Sequence, residues 1–92
     1  RKNMEHCQRF CELKQKEVIN VCDGCRLGYV TDLEFDVHTG KICTLILPAE
    51  GGKMWNLFGG GREYCIPWKC IKKIGDDIIL IDVHIEDILR EC

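Results

Sequence analysis

The sequence predicts an all-β domain, a small antiparallel barrel of about six strands with a short C-terminal helix. Three observations carry this. The chain's 92 residues suffice for one domain with a modest core, and not for two cores. Strand-length runs rich in β-branched residues recur along it, separated by glycine and aspartate turns. A helical period appears only in the last eleven residues, so no crossover helix is available to build a parallel sheet.

The first run, Glu17 to Cys22 (EVINVC), leads through Asp23-Gly24 to a second beginning at Arg26. Asp-Gly suits a two-residue type I′ turn, which predicts a hairpin. From Thr31 to Val37 the chain alternates, with Leu33, Phe35 and Val37 on one side and Asp32, Glu34 and Asp36 on the other. That pattern belongs to a strand with one buried face. Gly40 then supplies the reversal. Ile42 to Leu47 (ICTLIL) is apolar on both faces, so it is expected to be covered on both.

Pro48 ends that strand and opens the longest loop, PAEGGKMWNLFGGGR, with five glycines. Strand character resumes at Glu63 to Trp68, where Pro67 marks an edge or a bend because it cannot donate to a ladder. Two further strands, Ile71 to Ile74 and Ile78 to Ile81, flank the turn Gly75-Asp76-Asp77. In the tail, Ile81, Ile85, Ile88, Leu89 and Cys92 fall on one helical face. Asp82 is the candidate cap, and a helix this short must dock on the barrel or on a second chain. The expected division is an N-terminal extension over 1–9, a barrel over 10–83 and a helical tail over 84–92.

Formal charge is −2, with both signs interspersed, which argues against nucleic acid or anionic lipid as partner. The N-terminal RKNMEHCQRF lacks the apolar stretch of a secretory signal. The longest apolar run, Ile78 to Ile81, is far short of the roughly 20 residues that span a bilayer. A soluble, cytoplasmic chain without membrane insertion is expected. Eight cysteines would suggest a disulfide framework in a secreted protein, whereas here they are read as reduced thiols, some buried as small apolar residues.

The runs KEVINVCDGCRLGYVTDLEFDVHTGKI, LILPAEGG and GREYCIPWKCIKKIGDDIILID closely resemble the PRC-barrel domain, in particular the YlmC/YmxH group of spore-forming bacteria. The likeness spans roughly Phe10 to Asp82, and IPW...IKKIGDDIILID is its most specific part. The resemblance implies a six-stranded barrel shared with the reaction-centre H subunit and the ribosome-maturation factor RimM, where the barrel makes protein contacts. It implies a protein-binding or scaffolding module in a sporulation-related setting, and it brings no catalytic residues with it.

Two constellations remain. Cys22 and Cys25 form a CxxC beside the Asp-Gly turn, and Cys7 and Cys11 lie upstream at one-turn spacing. Four thiolates so paired are candidate ligands for a tetrahedral zinc ion, although Arg26 stands where a zinc knuckle carries glycine. The chain is read as holding no cofactor; a zinc site, a redox-sensing module and a disulfide across the turn are the alternatives. Met54, Trp55, Leu57 and Phe58, between glycine hinges, are the candidate protein contact. Self-association through the tail or an edge strand is also expected. His6, His38 and His84 are read as solvated, Trp68 as core. No spacing singles out a general acid and base, so no enzyme is expected.

Overall fold

The computed structural model describes residues 7–49 and 62–91. The candidate contact residues Met54, Trp55, Leu57 and Phe58 lie outside these described residues, as do His6 and Cys92. The chain makes one helical turn, α1 (Phe10–Leu13), and then enters β1 (Glu17–Asn20), β2 (Arg26–Tyr29), β3 (Asp32–Phe35) and β4 (Ile42–Pro48). It continues through β5 (Arg62–Pro67), a 3₁₀ turn (Trp68–Cys70), β6 (Ile71–Ile74) and β7 (Ile78–Ile81). A second helical turn, α2 (Ile85–Ile88), leads into β8 (Leu89–Glu91).

Among the described residues the strands form two sheets of four, ordered β2-β1-β7-β6 and β3-β4-β5-β8. The all-β expectation holds, with eight strands in place of six and with hydrogen bonding divided between two sheets. Three connections cross between the sheets: Val30-Thr31 after β2, the 3₁₀ turn after β5, and α2 after β7. Pro67 is therefore a bend. It ends β5 and precedes the 3₁₀ turn that swings the chain into the other sheet.

The core lies between the sheets, where Val18, Leu45, Leu47, Ile66, Ile79 and Ile81 are wholly buried. Each such aliphatic side chain contributes about 1.5–3 kcal/mol on burial. Leu13, Val83 and Ile88 close the ends of this cluster. Strand β4 is covered on both faces over Leu45, Ile46 and Leu47, buried in succession, whereas Cys43 in its first half is exposed. The β6–β7 hairpin also forms where predicted, closed by the Gly75 amide donating to the Ile78 carbonyl at 2.8 Å.

The sheet containing β1 corrects the purely antiparallel expectation. β1 pairs with β7 in parallel register, Glu17 opposite Ile78 through Asn20 opposite Ile81. The required crossover is not a helix; it is the chain from β2 to β6, which contributes three of the second sheet's four strands, β3, β4 and β5, on the way.

The β1–β2 hairpin forms, but its turn is not the two-residue type I′. That turn needs left-handed backbone at both central residues, and among the described residues no non-glycine has it. Gly24 alone turns left-handed here, at φ +74°. The loop closes with the Gly24 amide donating to the Asn20 carbonyl at 2.8 Å and the Asn20 amide to the Cys25 carbonyl at 2.9 Å. Asp23 accepts the Cys25 amide on its carboxylate at 2.9 Å, a side-chain turn that replaces the strained alternative.

Alternation also ends early in β3. Leu33 is half-buried, whereas Phe35 is 56 % and Val37 78 % exposed. The register shifts between Glu34 and Phe35, and a one-residue slip sends side chains to the opposite face. Beyond it the chain reverses around Asp36, whose carboxylate accepts the His38 amide at 2.7 Å.

The tail is the largest departure. Its helix stops after one turn, its N-cap is His84 and not Asp82, and no side chain caps it. Leu89 to Glu91 then pair antiparallel with β5. A nine-residue helix bears the full nucleation cost for few hydrogen bonds, while β5 offers an unpaired edge whose backbone groups the tail satisfies.

A second shift, between Val18 and Ile19, falls beside Gly28, which sits at φ +105°. Open space surrounds the position a Cβ would take, so the backbone angle alone opposes a side chain. G28A is expected to lower unfolding free energy by about 1–3 kcal/mol, measured by urea denaturation. An unchanged midpoint would show that this bulge tolerates ordinary residues.

Candidate functional site

One end of the domain carries an open groove of about 530 Å³ lined by α1, the start of the second sheet, the 3₁₀ turn and β6. Its apolar walls are Phe10, Leu13, Leu33, Ile42, Trp68 and Ile74. Phe10 is 37 % and Trp68 39 % exposed, so Trp68 is not the core residue expected. Its place at the corner between sheets holds the indole at the rim of the core.

Local chemistry fixes α1 there. The Arg9 amide donates to the Glu12 carboxylate at 2.8 Å, the glutamate half of a capping box at the start of the turn. Leu13 is buried in the core. Lys16, 6 % exposed, donates through Nζ to the Gly75 carbonyl at 2.6 Å and to Gln8 Oε1 at 3.0 Å. That ammonium fastens the end of α1 to the β6–β7 turn, and Phe10 is presented as a consequence. Lys14 Nζ lies 5.4 Å from the Phe10 ring centroid, within cation–π range.

Arg9 is the one charged group among the described lining residues. Those residues offer no carboxylate, thiol, hydroxyl or imidazole. The groove is suited to apolar contact and to accepting an anion at its rim.

The opposite feature is polar. Asn20 is fully buried, inward beside Val18 because strand residues two apart share a face. Its Nδ2 donates to the Val83 carbonyl at 2.9 Å, and its Oδ1 accepts the Val83 amide at 3.1 Å and the Cys22 amide at 3.3 Å. One side chain thereby holds two segments together, and the residues beside its anchors meet: Cys22 Sγ lies 3.9 Å from His84 Nδ1.

The structure does not gather the four candidate zinc ligands. Cys7, Cys11, Cys22 and Cys25 are all exposed. Among the described residues no group of three or more cysteine, histidine, aspartate or glutamate side chains is arranged to hold a metal ion. Cys43 is an exposed residue of β4, Cys70 is half-buried in the 3₁₀ turn, and Cys65 is buried in β5, where burial pushes its thiol pKa up. Sequence reasoning missed the Phe10–Trp68 groove, Lys16 and the Cys22–His84 contact. Asn20 did leave a signal, a polar residue in register with Val18 on an inward face.

No helix among the described residues is long and apolar enough to cross a membrane. Comparison with known proteins matches residues 8–88 to the PRC-barrel domain. The chain is 44 % identical over 70 residues to the probable sporulation protein YlmC of Bacillus subtilis, covering 76 % of this chain and 85 % of YlmC. It is 38 % identical over 77 residues to the uncharacterised protein YmxH of the same organism, covering 82 % and 88 %. An uncharacterised protein of Clostridium acetobutylicum is 39 % identical over 70 residues, covering 76 % and 78 %. A family match running from the start of α1 to the end of α2, with relatives similar over most of both lengths, means that this chain belongs to the PRC-barrel family.

Proposed function

We propose that this chain is a non-catalytic protein-binding module, working in a sporulation-related setting, and that its partner seats an acidic, apolar segment in the groove between α1 and Trp68. The observation that carries the reading is the half-exposed Phe10 and Trp68 facing a common groove whose one charged lining residue is Arg9. Aromatic anchors in a concave apolar patch are the usual energetic centre of a protein contact. The cations Arg9 and Lys14 favour carboxylates flanking those anchors. Support for the setting is the name of the relative, probable sporulation protein YlmC. Support for a binding role over a chemical one is the groove's lack, among its described residues, of any side chain that moves protons near neutral pH.

Selection from a random-peptide display library against the full chain tests this. Enriched peptides are expected to combine large apolar residues with aspartate or glutamate. F10A and W68A are each expected to weaken their binding about tenfold or more, the loss of a central anchor, without altering the thermal melt. A basic or purely polar consensus, or peptides that bind both variants equally, would overturn the reading. So would a concentration-dependent dimer in sedimentation that F10A abolishes, because the groove's occupant would then be a second copy of this chain.

A further inference from the structure

We propose that Cys22 is a thiol-modification site that captures small disulfides, with His84 receiving the thiol proton. Neither residue lines the groove, so the inference stands apart from the binding role. It rests on the 3.9 Å approach of Cys22 Sγ to His84 Nδ1, on the exposure of both side chains, and on the buried group that keeps them together.

That group is Asn20. Cysteine and histidine exposed on separate loops would ordinarily drift, because surface connections are mobile. Here the Asn20 Oδ1 accepts the Cys22 amide at 3.3 Å, and the same side chain is bonded in both directions to Val83, the residue before His84. The amide is wholly buried, where such bonds are shielded from competing water. Asn20 is thus a positioning residue. One of its anchors is the backbone of the thiol's own residue, and the other is the residue next to the imidazole.

The chemistry follows from the contact. A thiolate, not a thiol, attacks disulfides. With the imidazole protonated on Nε2, Nδ1 accepts the Cys22 proton, and the sulfur forms a bond to one sulfur of the incoming disulfide. The disulfide's own S–S bond breaks, and the departing thiolate takes up the proton from His84. One protein thiol and one small disulfide become one mixed disulfide and one small thiol.

Two other cysteines provide contrast. Cys43 is also exposed, but its thiol donates to the Lys41 carbonyl at 3.9 Å, an acceptor that cannot carry a proton away. Cys65 is buried and its thiol pKa is raised by desolvation, so it should react only on unfolding.

The test is a brief exposure of the reduced full chain to glutathione disulfide, quenched in acid and read site by site by peptide mass spectrometry. Cys22 is expected to gain glutathione at least about fivefold faster than Cys43, below the ~100-fold that an enclosed base supplies in an enzyme. H84Q should bring the two rates together by slowing Cys22 alone. Continued protection of Cys65 in H84Q reports that the fold is intact. Equal rates at Cys22 and Cys43 in the wild-type chain, or a Cys22 advantage that survives H84Q, would overturn the proposal.

Discussion

Ending the chain at Asp82 is expected to unfold the domain at room temperature. The ten residues removed look peripheral, yet they carry Val83 and Ile88, 8 % and 5 % exposed within the core cluster. Each contributes about 1.5–3 kcal/mol by burial. Three paired residues of β8 go with them, Leu89, Arg90 and Glu91 opposite Tyr64, Glu63 and Arg62, and the edge of β5 is laid bare. Asn20 also loses both of its bonds to Val83, which strands a buried amide at about 1–3 kcal/mol. The combined loss is about 4–9 kcal/mol, comparable with the whole stability of a small domain. Circular dichroism and urea titration check it. A truncated chain that still melts cooperatively near the wild-type temperature would show that the tail is an accessory. I88A separates packing from pairing: it keeps β8 in register and should cost about 2–5 kcal/mol, leaving a folded but weakened domain.

The tail lies at the boundary of what the residues alone make legible in this fold. Local features were read correctly. The both-faced burial of Leu45, Ile46 and Leu47, the hairpin around Gly75-Asp76-Asp77 and the bend at Pro67 each follow from residue type and period within a few positions. What failed was set by partners distant in sequence. The parallel pairing of β1 with β7 joins residues 61 positions apart in sequence, and no local pattern distinguishes it from an antiparallel neighbour. The tail's isoleucines fit a helical stripe, yet Ile81 is buried as the end of β7 and Ile88 alone is buried from the helical turn. The open edge of β5 then outweighed the period and drew the last residues into a strand.

The same division holds for the candidate sites. Cysteine spacing suggested a metal cluster, but spacing says nothing about where loops point, and Cys7, Cys11, Cys22 and Cys25 all face solvent. The groove joins Phe10 to Trp68, residues brought together only when the 3₁₀ turn passes between sheets and Lys16 ties down α1. His84 and Cys22 meet because β1 and β7 lie side by side in the same direction, so their C-terminal ends emerge together. Each arrangement is a consequence of topology, and the topology was the part least visible in the residues themselves.

Replacing Asn20 is expected to be nearly as damaging as losing the tail, and the choice of replacement separates its roles. N20A removes a side chain that makes three hydrogen bonds and leaves the Val83 amide and carbonyl without those partners, at an expected cost of about 3–5 kcal/mol. N20L fills the space without satisfying either group and should be no better. N20D is the informative variant. It matches the amide in shape and can still accept the Val83 and Cys22 amides, but an ionised carboxylate cannot donate to the Val83 carbonyl. A carboxylate in this fully buried position has its pKa raised above its unfolded value of about 3.9, because desolvation disfavours the charged form. The folded state therefore binds the proton more tightly. Stability relative to N20A is fully present below the unfolded pKa and is lost as pH rises through the folded one. Melting temperatures of wild type, N20A and N20D between pH 3.5 and 8 check this: N20D should approach the wild type at the acid end and fall towards N20A at the basic end. Parallel curves for N20D and the wild type would mean that the donor on Nδ2 is dispensable. The clamp between β1 and the segment after β7 would then be held by the amides that bond to Oδ1 and by packing.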